Sequence, residues 1–139
     1  MKKPKFHRGT IQVITPDKKT YTVPALIYGN TGLAINQHNI SNPTGRYVSV
    51  SHIPTGLRAT HAFSATKHAR LYCEAIAPLT NWHLVTIDSV RDLPKSVVDN
   101  LQLLRRLVIA HKDNWHIEWV KVKLVGENSE LLSANQDNI

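Results

Sequence analysis

Three sets of side chains in this 139-residue chain could do chemistry: eight histidines, a Ser/Lys pair at S-x-x-K spacing, and seventeen lysines and arginines. The pair is Ser64 and Lys67. Some serine hydrolases use that spacing, but on a larger scaffold and with further motifs that this chain lacks. Ser64 also stands where a hydroxyl would cap the first turn of a following helix. The histidines are at 7, 38, 52, 61, 68, 83, 111 and 116. Structural zinc sites draw on cysteine pairs or closely spaced histidines. Here the closest histidines are His111 and His116, and Cys73 is the single cysteine, so no metal and no cofactor is expected. Cys73 falls on the apolar stripe of a predicted helix and reads as a small buried residue rather than a nucleophile. Asp17 and Glu74 are the acids before Asp88, too few for paired-carboxylate catalysis in the first half. No Gly-rich phosphate loop is legible either. The expectation is a protein that binds and does not catalyse.

The basic residues carry the stronger signal. Residues 1–73 hold ten Lys or Arg and one acid, whereas residues 74–139 hold seven basic and nine acidic residues. Such asymmetry points to an anionic partner for the first half. The candidate contacts are Arg8, Lys18, Lys19, Arg46, Arg58, Lys67 and Arg70, extended by Lys2, Lys3 and Lys5 in an N-terminal arm. Asn36, Gln37, Asn39 and His52 could position a phosphate backbone, and Tyr21, Tyr28 and Tyr47 could stack on bases. No helix-turn-helix, RNP-like motif or zinc finger accompanies them. Two partner classes stay open: nucleic acid, met through sequence-independent phosphate contacts, and an acidic surface of another protein. A solvated basic face without a dedicated ligand would look the same in sequence.

These residues need elements to hold them. Residues 9–15 and 20–28 read as strands around a "PDKK" turn, and Pro24, which lacks an N–H, places the second at a sheet edge or bulge. Thr-Gly recurs at 31–32, 44–45 and 55–56, each time before an extended run: "LAINQ", "RYVSVSH" and "LRATHAF". Short strands with regular turn signals predict an antiparallel meander. "IPTG" (53–56) predicts a hairpin joining 46–52 to 57–63, with Pro54 and Gly56 at the second and fourth turn positions. A helix follows Ser64, with Ala65, Ala69, Tyr72, Cys73 and Ile76 at helical spacing and Pro78 past its end. "WHLVTI" (82–87) reads as a strand. A second helix runs from about Pro94 to Lys112, with Val97, Leu101, Leu104 and Val108 on one stripe and Arg105 and Arg106 beside it. "NWHIEWVKVKLV" (114–125) returns to β character with a parity switch near Trp119. The fold class is α+β: an antiparallel meander of four to six strands packed by two helices on one face. Residues 1–125 form one domain and 126–139 a polar tail.

His52, Ile53, Pro54, Thr55 and Gly56, with Ala69 and Trp82, resemble a pattern in short phage- and plasmid-borne proteins: an H-(I/V)-P-T-G hairpin, an alanine-rich helix and a Trp soon after. The resemblance covers about a quarter of the chain and implies only a mobile-element setting, with no activity attached. No apolar run is long enough to cross a bilayer, and no signal-peptide core follows the basic start. A cytoplasmic protein without a membrane partner is expected. The edge at Pro24 and the switch near Trp119 leave room for a homodimer.

Overall fold

In the computed structural model, residues 4–38, 47–59 and 62–110 are described. The apolar alternation of the first strands builds a long hairpin. β1 (Phe6–Ile14) pairs antiparallel with β2 (Thr20–Tyr28) along its full length, from Phe6 opposite Tyr28 to Ile14 opposite Thr20. β3 (Leu33–Gln37) meets β2 only at Leu26–Ile35 and Ile27–Ala34, then pairs with β4 (Val48–His52) from Leu33–His52 to Gln37–Val48. The sheet order is β1-β2-β3-β4, the predicted meander.

β2 is therefore an interior strand, and the edge expected at Pro24 is local. The amide of Ile14 points away from β2, to the carbonyl of Gly56 at 2.9 Å. Ladder alternation then turns the nitrogen of Pro24 away from β1 as well. It faces the flank of β2 that the short ladder with β3 does not reach, so the missing N–H leaves no acceptor unpaired.

The same Ile14–Gly56 bond shows how far the sheet coils. The end of its first strand touches the turn that follows its last. Ile11, Val13, Ala25 and Ala34 are buried inside this curl, with Val23, Ile27 and Ile53 against them. The other face carries Leu33, Ile35, Val48 and Val50, covered by α1 (Thr66–Ile76). α2 (Lys95–Ala110) packs on α1, and the Tyr72 hydroxyl donates to the Leu101 carbonyl at 3.2 Å. Val97, Leu104 and Val108 of its stripe are buried.

Four expectations need correction. Where it is described, at 57–59 and 62–63, the run after the turn meets β4 through separate bridges, Ser51–Arg58 and Val48–Phe63, and not in a continuous ladder. Its hairpin closes one residue wider than "IPTG" suggests, with the Gly56 amide on the His52 carbonyl at 2.8 Å. Ser64 does not cap α1: the N-cap position belongs to Ala65, in extended backbone, and no side chain bonds there. Residues 82–87 are not a strand. Trp82–Leu84 form a 3-10 turn, because Trp82 is claimed by tertiary bonds described below. Lys2, Lys3, Asn39, the Thr44-Gly45 turn, Arg46, His61, the end of the second helix past residue 110, the 114–125 segment and the tail lie outside the described residues. No helix among the described residues is long and apolar enough to cross a membrane.

Candidate anion-binding site

The Thr-Gly repeat proves to be a local device that sets the strands. In both described copies the threonine hydroxyl accepts the amide two residues on: Leu33 to Thr31 at 3.3 Å, Leu57 to Thr55 at 3.2 Å. Gly32 and Gly56 follow at φ 88° and 73°, where a side chain would be strained. At Gly56 a Cβ would also stand 3.2 Å from the Gln12 carbonyl oxygen and from Ile14 Cγ1, closing off the contact that curls the sheet.

His52 continues the same unit. It is buried, and its Nε2 donates to the Trp82 carbonyl at 2.6 Å. The proton is thereby assigned to Nε2, so Nδ1 accepts from the Thr55 hydroxyl at 2.8 Å. Trp82 in turn donates its indole N–H to the Ile76 carbonyl at 2.8 Å and meets the His52 ring edge-on at 5.9 Å. Burial lowers the His52 pKa, against a smaller opposing effect of the Trp82 bond, which favours the neutral ring. His52 is thus structural and not a phosphate contact. Asn36 is spent too: its side-chain carbonyl accepts from Ser51 at 2.6 Å and its amide donates to the Gln37 carbonyl at 3.0 Å. Tyr28 is buried, and its hydroxyl pKa is pushed up to about 12 by burial, then by Glu74 and Cys73. Burial pushes the Cys73 thiol pKa up as well, with Glu74 adding to it, so it is a poor nucleophile. Tyr21 and Tyr47 are exposed.

The basic residues gather differently from the sequence expectation. Arg58 projects from the run beside β4 toward the end of β3. Its Nη2 donates to the His38 carbonyl at 2.5 Å and its Nη1 to His38 Nε2 at 3.3 Å. A guanidinium only donates, so Nε2 is the acceptor and Nδ1 carries the proton to Ser49 Oγ at 2.6 Å. These bonds hold the Arg58 guanidinium in place. Beside it opens a hollow of about 620 Å³, lined by His38, Arg58, Ala59, Leu101, Gln102, Arg105 and Arg106. No carboxylate is among these lining residues. Arg105 lies over the Phe63 ring at 6.0 Å, and its Nε is buried without a hydrogen-bond partner.

Lys67 and Arg70 do not line this hollow. Arg70 sits over Phe6 at 5.3 Å, itself stacked on Tyr28 at 4.5 Å. Arg8 lines a second hollow, about 350 Å³, with Thr66 at the start of α1, one residue before Lys67. Arg8, Lys67 and Arg70 are all exposed. Lys18 and Lys19 occupy the tip of the β1–β2 hairpin, where Lys19 faces Asp17 at 3.8 Å. Both side chains of that pair are exposed, so water screens it.

Arg105 and Arg106 are what sequence reasoning missed. They belong to the acidic half of the chain, so a charge average hides them. The available signal was two adjacent arginines beside the apolar stripe of α2. Among the described residues, no group of three His, Cys, Asp or Glu could hold a metal ion. Compared with known proteins, the chain matches no family model, no curated protein and no solved structure.

Proposed function

We propose that the protein is a non-enzymatic binder of nucleic-acid phosphates. The hollow under Arg58 is its primary contact, and Arg8, Lys67 and Arg70 extend the basic surface. One observation carries this reading: three guanidiniums from two distant chain segments line one hollow without a carboxylate among them. Guanidinium forks match phosphate oxygens two bonds at a time, and such charge-assisted bonds are about twice as strong as neutral ones. Arg58 is pre-oriented by His38, so less freedom is lost when an anion arrives. Exposed Tyr47 follows the end of the β3–β4 ladder, at the position facing His38, and offers an aromatic face for an unpaired base.

The direct test is fluorescence anisotropy with labelled single-stranded DNA and RNA at low salt. Binding is expected for wild type, and a clear loss for the combined variant Arg58→Gln, Arg105→Gln, Arg106→Gln. Absence of binding to any nucleic acid at low salt refutes the proposal and favours an acidic protein surface as the partner.

A further inference from the structure

We infer that the hollow seats a phosphomonoester, the phosphorylated end of a single strand, rather than an internal phosphodiester. This rests on the nucleic-acid reading above and deepens it. The argument starts from the number of donors. Arg58 uses part of its fork on His38. For Arg105 the described contact is the Phe63 ring, and its Nε is buried and unpartnered. Arg106 is exposed on the next position of α2. A phosphodiester brings one negative charge and two non-bridging oxygens. A terminal phosphate brings three such oxygens and a charge between about −1.5 and −2 at neutral pH. Three guanidiniums around one hollow are better matched by the second.

Shape agrees with charge. Protein contacts to the backbone of a duplex are made by side chains that project from the surface. Here the cations line a hollow of about 620 Å³, within the roughly 300–1,000 Å³ typical of small-ligand pockets. That volume matches one nucleotide better than a duplex. The rest of the lining suits a nucleotide. Ala59 and Leu101 give an apolar wall, and Gln102 offers a donor and an acceptor.

The test compares short oligonucleotides of one sequence that end in a 5′-phosphate, a 3′-phosphate or hydroxyls only, with the free nucleoside monophosphate as competitor. One of the phosphorylated ends should bind about tenfold tighter or more than the hydroxyl form, the effect of a bond between charged groups of about 1.5 kcal/mol or more. Arg106→Gln, at an exposed position, should erase most of that ratio while circular dichroism stays native. Arg70→Gln should weaken all oligonucleotides alike. Equal affinity for phosphorylated and hydroxyl ends overturns the inference and leaves the backbone-binding proposal standing. A free nucleotide that binds as tightly as the strand also overturns it, in favour of a mononucleotide site. Failure of every oligonucleotide to bind defeats both.

Discussion

Replacing His52 with alanine tests the junction that joins the sheet to the helical layer. His52 is 5% exposed and bridges the Thr55 hydroxyl and the Trp82 carbonyl. Removing the ring loses two hydrogen bonds, to the Thr55 hydroxyl and to the Trp82 carbonyl, which keeps the Val85 amide at 3.1 Å; at about 0.5–1.5 kcal/mol each this costs about 1–3 kcal/mol. It also leaves a void against the Trp82 indole, which adds roughly 1–2 kcal/mol. The sum, about 2–5 kcal/mol, is a large part of the ~5–15 kcal/mol that keeps a domain folded. Urea denaturation at neutral pH reads it directly. The same site predicts a pH dependence. Because burial lowers the His52 pKa below the ordinary 6.5, the folded state binds fewer protons than the unfolded state between those two values. Stability is therefore full above pH 6.5. It falls as pH drops toward the folded value, by at most about 1.4 kcal/mol per pH unit from this group. His52→Gln should lack that component, so the difference between wild type and variant isolates it from the other histidines. A loss under about 1 kcal/mol for His52→Ala, or a pH profile unchanged in His52→Gln, would refute the assigned bonding.

Other expectations are local. Ala65→Asp should stabilise the protein by about 1 kcal/mol, because the residue already has N-cap geometry without a capping side chain. Ser64→Ala should change stability by less than about 0.5 kcal/mol; chemical denaturation of both variants reads the pair. Gly56→Ala should cost roughly 2–3 kcal/mol, from the left-handed backbone at φ 73° and the crowding against Gln12 and Ile14, visible as a clear fall in melting temperature.

Much of the fold was legible because its strands alternate simply. Ile11 and Val13 mark β1, and two Thr-Gly turns sit where chain reversals had to be. What escaped was tertiary. "WHLVTI" is rich in β-formers, yet Trp82 is fixed by bonds to Ile76 and His52, and those outweigh propensity. Ser64 is a good capping residue beside a helix that starts one position later than a Ser64 cap requires. At the site, Arg58 was legible from the basic first half. Its partners Arg105 and Arg106 come from α2, and only the folding of α2 onto α1 brings them across. His52 and Asn36 looked like free polar groups because nothing in one dimension shows that a polar residue is already satisfied.

The central claim is that Arg58, Arg105 and Arg106 neutralise phosphate together. The most direct measurement is the affinity for a single strand across a salt series, for wild type and the triple glutamine variant. Each phosphate neutralised on a single strand contributes about 0.7 to the log–log slope. With the three guanidiniums acting together on one phosphate, wild type should be steeper than the variant by about 0.7. Equal slopes in the two proteins would contradict the account.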